Sequence, residues 1–253
     1  MSTRSERYDA HVVDRAQLSP HLLRLTLTVP GFETSGIPDE WVGLVVPGQF
    51  QVRYYTVRSH DRDRLQLDVV VHDEGLVTGW ATGDCVGDRV VVTGAQGSFE
   101  PPAGAGWLML VGDLTAMPAM ARIAGSTDLP TRIWAECADD LADYLPAAAD
   151  VTWLRPPAGG GSRLAEVVEG LDWPPGEGYF WMAGESAQMR AIRKHLMREQ
   201  RLPSAAYDVM GYWRAVVARQ PRAVDPGPIW RAGKAAGRSD EEIWAQYDEA
   251  RGG

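Results

Sequence analysis

Apolar and polar residues alternate along much of the first hundred positions. Leu23, Leu25, Leu27 and Val29 form one such series, and a period of two puts one face of an extended strand in a core and the other in water. Similar short runs cover 50–57, 65–72 and 89–93, with turn residues between them at Pro47-Gly48, Gly87-Asp88 and 94–97. Short strands punctuated at this spacing predict an antiparallel barrel or sandwich.

After Pro101-Pro102 and the small residues 103–106 the pattern changes. Fully apolar runs at 107–111, 131–137, 151–154, 179–183 and 206–211 alternate with helical segments, which predicts a parallel sheet covered by helices. The helix after Glu185 is expected to start at Ser186 as N-cap and to bury Met189, Ile192, Leu196 and Met197. A Pro-, Gly- and Arg-rich segment spans 218–237. Ser239, three residues before Glu242, then forms a capping box that opens a last helix with Ile243, Trp244 and Tyr247 on its apolar face. These patterns divide the chain into an all-β unit, 1–103, and an α/β unit, 104–253.

Composition narrows the function classes. The 253 residues are 45% hydrophobic and 23% charged, ordinary for two modest globular domains. The apolar runs end well short of the roughly 18 residues of a membrane span. The N-terminus has no apolar signal core, so a cytoplasmic protein without an integral membrane segment is expected. Two cysteines, Cys85 and Cys137, give neither a disulfide framework nor a Cys-x-x-Cys pair. The five histidines stand at no metal-ligand spacing, and no protein-bound metal is expected. A net charge of −9 argues against nucleic-acid binding. No Gly-x-Ser-x-Gly elbow is present, which weighs against a hydrolase.

The most informative stretch is Arg53-Tyr54-Tyr55-Thr56. Alternation sends Arg53 and Tyr55 to one face, a guanidinium for a phosphate and a ring for a flat π-system, and FAD offers both. Thr56 meets the flavin ring if the strand ends or bulges there. A plain barrel strand with an exposed arginine and a packed tyrosine satisfies the same pattern. Downstream, Gly75, Val77 and Thr78 are expected at a helix N-terminus facing a pyrophosphate, with a capped hairpin turn as the alternative. Gly97 and Ser98 then permit close backbone approach to a ligand. Glu136 ends the second parallel strand, where a carboxylate accepts from an adenine ribose and favours NADH. Arg132 and Arg155 are the alternative, as receivers of a 2′-phosphate, so NADH or NADPH is left open. From Arg214 to Arg238 six basic residues stand against one acid, a trap for an anionic chelate or a solvated basic loop.

Taken together, Arg53 to Arg58, the Val-Val-Val-His run ending at His72, Gly75, Thr78-Gly79-Trp80-Ala81, Gly87-Asp88-Arg89 and 94–99 resemble the siderophore-interacting protein family, ferric-siderophore reductases of the ferredoxin-reductase-like superfamily. Gly112-Asp113-Leu114-Thr115-Ala116-Met117-Pro118, Ala183-Gly184-Glu185 and Tyr212-Trp213-Arg214 extend the resemblance into the second half. It implies an antiparallel Greek-key barrel that binds FAD, followed by a parallel-sheet α/β domain that binds NAD(P)H. Arg53 would hold a phosphate, Tyr55 the isoalloxazine and Thr56 its reactive edge. Tyr54, His72, Gly75, Val77, Thr78, Gly97 and Ser98 would complete the flavin site, and Asp113, Thr115, Ala116, Gly184, Glu185 and Trp213 the nicotinamide site. Asp113 and Thr115 replace the glycine-rich loop of the wider superfamily. The implied substrate is a ferric siderophore, met by Arg58, Arg214, Arg231, Lys234 and Arg238, with docking on a siderophore importer as a further expectation. A general NAD(P)H-flavin oxidoreductase or ferredoxin-partnered carrier is the first alternative, and a non-enzymatic siderophore-binding protein the second.

Overall fold

The computed structural model describes residues 6–49, 51–72 and 75–214, together with 232, 234, 236, 238, 239 and 242. Met1–Arg214 forms one compact unit and Ala215–Gly253 a second. Six strands of the first unit, β1 (Arg7–Ser19), β2 (Leu22–Thr28), β3 (Trp41–Val45), β4 (Arg53–Asp61), β5 (Arg64–Val70) and β6 (Arg89–Thr93), close into a barrel in the order β1-β2-β5-β4-β3-β6. Every neighbouring pair is antiparallel. Strand β5 pairs with both β4 and β2, which gives the Greek-key crossing. Ala10, Val12, Leu23, Leu25, Leu27, Val42, Leu44, Val57, Leu65 and Leu67 fill the interior. Helix α1 (Leu76–Thr82) adds Val77 and Ala81 to this core.

The alternation at 23–29, 65–72 and 89–93 becomes β2, β5 and β6. Strands β1 and β3 were not predicted. Two register shifts in β1, between Val12 and Asp14 and between Gln17 and Ser19, reset the phase of its side chains, so no sustained period of two is written in its sequence. Strand β3 is only five residues long.

The second sheet holds β7 (Leu108–Asp113), β8 (Thr131–Glu136), β9 (Asp150–Leu154), β10 (Tyr179–Glu185) and β11 (Tyr207–Trp213), all parallel, in the order β11-β10-β7-β8-β9. Central β7 and β10 are buried throughout, as expected of strands covered on both faces. Helices α2 (Met117–Gly125), α3 (Leu164–Glu169) and α4 (Met189–Arg198) connect them. The strand order reverses between β7 and β10, which opens a crevice at their carboxyl ends.

Two expectations for α4 are corrected. Its N-cap is Gln188, because the Ser186 hydroxyl donates to the Trp213 carbonyl at 2.8 Å and stitches the loop to β11. Met197 is 55% exposed, and Met189, Ile192 and Leu196 alone form the buried stripe. In the second unit the capping box is formed: the Glu242 N–H donates to Ser239 Oγ and the Ser239 N–H donates to the Glu242 carboxylate.

Barrel and sheet share an apolar seam. Leu22 of β2 lies fully buried in the cluster built by Leu108, Leu110, Met120 and Tyr179, and Phe99 meets Tyr179 edge-on at 5.4 Å. Buried polar side chains fasten the two halves. Glu40, fully buried, accepts from Thr34 and Ser35 and from Arg122 of α2 at 3.1 Å, while Arg122 also donates to the Val57 carbonyl of β4 at 2.8 Å. Burial alone would raise the Glu40 carboxyl, but bonds from Ser35 and Thr34 and the Arg122 charge hold it below its ordinary value. Asp68 accepts both arms of Arg24 at 2.7 Å and the Tyr144 hydroxyl from the sheet side. Asp139, on the loop after β8, accepts from the Ser19 hydroxyl and the His21 N–H of the barrel. Here too burial opposes ionisation, and the bonds from Ser19 and His21 outweigh it, lowering the pKa.

Breaking a buried ion pair by removing one partner strands the other. Glu40→Ala is therefore expected to cost about 3 kcal/mol in a denaturant titration, because Arg122, Thr34 and Ser35 lose their common acceptor. Lowered carboxyls give stability that is present above their unfolded values of 4.5 for Glu40 and 3.8 for Asp139 and is lost as pH falls through the folded ones. Thermal unfolding from pH 6 to 3 should show this acid loss, and Glu40→Gln should make it shallower.

Candidate functional site

Strand β4 keeps its alternation. Tyr55 pairs with Val42 and Arg53 with Leu44 on one side, whereas Tyr54 pairs with Gly43 on the other. Arg53 is exposed and makes no hydrogen bond or ion pair with any described residue. Burial pushes the Tyr55 phenol up to about 12, with the Arg53 charge opposing, so the ring is neutral at physiological pH. Tyr54, 66% exposed, lines a separate hollow of about 220 Å³ with Arg7, Trp41, Val52, Thr93, Gly94 and Gln96. The strand does not end at Thr56. It runs to Asp61, and its irregularity lies between Val57 and Ser59. Thr56 is buried, and Tyr212 of β11 lies near it. One face of β4 thus offers a free guanidinium and a neutral ring, a set able to take an anion beside a planar π-system.

Below it, α1 begins after Gly75. Val77 and Thr78 are buried and His72 is exposed, and Thr78 Oγ1 donates to the Val70 carbonyl at 3.4 Å. Gly97 and Ser98 are drawn toward the protein rather than toward open space. A Cβ at Gly97 would stand 2.7 Å from Ile37 and 3.1 Å from the Asp39 carboxylate. The Ser98 hydroxyl lies 3.0 Å from Asp39 and 2.6 Å from Asp208 of β11. Burial, aided by the Asp39 charge and opposed by the Ser98 bond, raises the Asp208 carboxyl.

At the crevice between β7 and β10 the structure brings together Asp113, Thr115, Ala116, Gly184, Glu185 and Trp213, and binds them to each other. Asp113 Oδ1 accepts from the Thr115 N–H at 2.9 Å and from its hydroxyl at 2.5 Å. Asp113 Oδ2 accepts from the Trp213 indole N–H at 2.6 Å. That indole reaches across β10 because residue 184 has no side chain: a Cβ there would stand 2.7 Å from Asp113 Oδ2. Burial raises the Asp113 carboxyl against these bonds. The Asp113 carboxylate takes the N–H groups that a phosphate would need, and Pro118 in the first turn of α2 has none to offer.

Glu136 and Glu185 are also buried at this edge, and Glu136 accepts from the Arg163 N–H at 2.9 Å. Arg132 stands at the amino end of β8, four residues before Glu136 and about 13 Å along the strand from the carboxyl edge. Arg155 does lie at that edge, in a hollow of about 350 Å³ with Cys137, Asp139, Asp140 and Trp153.

Arg58 lies over the Tyr144 ring at 5.0 Å and 4.0 Å from Asp68. Arg214 is exposed directly after β11. Lys234 and Arg238 are exposed residues of the second compact unit, and Arg231 lies outside the described residues. Sequence reasoning missed Asp39, Arg122, Asp208 and Tyr212, whose importance rests on partners from distant strands and leaves no local pattern. For Tyr212 alone a signal existed, since it belongs to the Tyr-Trp-Arg run already singled out. Among the described residues no group of His, Cys, Asp and Glu is arranged to hold a metal, and no helix is long and apolar enough to cross a membrane.

Comparison with known proteins agrees with this layout. Residues 48–99 match the model of the siderophore-interacting FAD-binding domain, and residues 105–216 that of the siderophore-interacting protein. The ferric vibriobactin reductase of Vibrio cholerae is 27% identical over 85% of this chain and 93% of its own. The solved siderophore-interacting protein of Acinetobacter baumannii superposes with a TM-score of 0.76 at 22% identity, covering 92% of this chain and all of that one. A ferredoxin-NADP+ reductase of Neisseria gonorrhoeae, solved with bound FAD and NADP, shares the fold with a TM-score of 0.68 at 13% identity over 83% of this chain and all of that one. The two matched segments follow one another across the barrel and the sheet, and on them the chain belongs to the siderophore-interacting protein family, with a ferredoxin-reductase-like fold.

Proposed function

We propose that this protein is an FAD-dependent ferric-siderophore reductase that draws electrons from NAD(P)H and releases ferrous iron. The observation that carries the reading is the exposed Arg53 beside the neutral Tyr55 on one face of β4, inside the segment that matches the FAD-binding domain. The residues fit the cofactor: a guanidinium with no partner among the described residues, a ring that stays uncharged, and the buried Tyr212 hydroxyl without a formed hydrogen bond beside Thr56. Bound FAD supplies the conversion of a two-electron donor into single-electron steps. Arg53 holds a phosphate, Tyr55 lies against the ring system, Thr56 meets its edge, and Gly75, Val77 and Thr78 border the pyrophosphate with His72 nearby. Hard oxygen ligands bind ferrous iron far less tightly than ferric, so reduction of the chelate frees the metal. Arg214 is the exposed cation that follows the strand facing this site, and an anionic chelate is drawn to such a charge.

The nicotinamide crevice fits its ligand less well. With Asp113 seated on the N–H groups of Thr115 and Ala116, a pyrophosphate finds no ready cradle, and this observation favours a second reading in which a reduced protein such as a ferredoxin is the donor. The purified protein is expected to be yellow or to take up added FAD with a rise in Tm. Loss of the Arg53 contact should cost about 2 kcal/mol, so Arg53→Ala should weaken FAD binding roughly thirtyfold by fluorescence titration. NADH or NADPH should bleach the flavin band anaerobically, and a ferric hydroxamate or catecholate should restore it. A colourless protein indifferent to FAD sinks the first reading, and a yellow one that only reduced ferredoxin bleaches establishes the second.

A further inference from the structure

Helix α4 carries its charge on one side. Met189, Ile192 and Leu196 are buried against the sheet, whereas Arg190, Arg193, Lys194, Met197 and Arg198 are exposed. With the α-helical period these five fall within an arc of about 140°, opposite the buried stripe. Arg201, just beyond the helix, is exposed as well. Met189 to Arg201 thus holds five cations and one acid, Glu199, in a chain of net charge −9. Arg193 donates to the Val209 carbonyl, but Arg190, Lys194, Arg198 and Arg201 make no hydrogen bond or ion pair with any described residue. Glu166 on the neighbouring α3 is already paired with Arg163 at 2.9 Å.

The fold does not ask for these cations. The buried stripe is complete without them. Like charges three and four residues apart, Arg190 with Arg193 and Lys194, and Lys194 with Arg198, weaken a helix. Arg190 also stands in the first turn, where the helix dipole disfavours a positive charge, and only Arg198 in the last turn suits it. An anionic partner would offset this cost.

The position of α4 narrows what that partner is. Its buried residues pack with Met109, Phe180 and Val209 in a cluster that holds no barrel residue, while Leu22 of the barrel lies with α2 in the other cluster. The cationic face therefore looks away from β4. A protein electron donor seated on it would be separated from β4 by roughly 20 Å of helix and sheet. The face is convex and has no Phe, Tyr or Trp on which a base could stack. Cations spread around one exposed methionine match the phosphate headgroups of a bilayer. The acidic character of the whole chain does not prevent such contact. At physiological ionic strength fields reach about 8 Å, so a surface against α4 meets its cations and not the acids of the barrel beyond the sheet.

We propose that α4 is a membrane-docking face: Arg190, Lys194, Arg198 and Arg201 hold the protein, reversibly and without insertion, on the anionic headgroups of a lipid bilayer, with the barrel turned away from it. The inference does not rest on the FAD reading.

Flotation of the full chain with lipid vesicles tests it. The protein is expected to bind phosphatidylcholine vesicles only when they contain phosphatidylglycerol, and to be released as salt is raised. Arg190→Gln and Lys194→Gln should each weaken binding roughly fivefold, the worth of one cation near an anionic surface, and together about twenty-five-fold. Neither should lower Tm, because each relieves like-charge repulsion. Arg190→Lys keeps the charge and should bind as the original chain does, and Arg64→Gln, which removes an exposed cation of the barrel, should change nothing. Indifference to phosphatidylglycerol, or equal losses from Arg64→Gln and Arg190→Gln, overturns the inference. So does an effect of the α4 variants on electron uptake from reduced ferredoxin with none on vesicle binding, which would give the face to a protein partner. Vesicle binding is scored with and without added FAD, so its failure is distinct from failure of the flavin reading.

Discussion

The Asp39 carboxylate, fully buried at the seam, receives the Ser98 and Phe99 N–H groups from the segment leaving the barrel and the Trp181 indole N–H from the centre of the sheet. An ionised carboxylate taken out of water must be repaid by several well-placed donors, and these donors come from both halves. This requirement fixes β10 against the segment that leaves the barrel. The placing of Asp208 beside Ser98 follows from it.

Electrostatics divides β4 from the sheet crevice. On β4 the Arg53 guanidinium is open, with no partner among the described residues. At the crevice the polar groups are satisfied internally, with Asp113 bonded to Thr115 and Trp213 and Glu136 to Arg163. An incoming dinucleotide would have to compete with bonds already formed, while a phosphate at Arg53 would compete only with water. The Arg53 contact is the easier to make.

How much was legible in the sequence follows from the range of the interaction involved. Period-two and fully apolar runs are local, and they yielded β2, β5, β6 and all five parallel strands. The Arg53/Tyr55 face was equally local, a matter of alternation within four residues. β1 escaped because its bulges break the period, and the Ser186 cap failed because a partner on β11 claimed the hydroxyl. Gly97 was noticed, but its close approach to Ile37 and Asp39, 60 and 58 residues away in sequence, was not. Glu40 with Arg122, Asp39 with Trp181, and Tyr212 with Thr56 join positions 82 to 156 residues apart, and a single sequence carries no trace of such pairings.

The clasp of Arg122 on Glu40 and the Val57 carbonyl limits how the molecule can be taken apart. A barrel transplanted onto a foreign α/β partner would keep its interior intact, yet it would leave a dehydrated carboxylate at position 40 and an open carbonyl on the strand that carries Arg53 and Tyr55. Only a recipient that offers a guanidinium in the same place would accept it. Modular exchange between such proteins is thus gated by a residue that touches neither ligand.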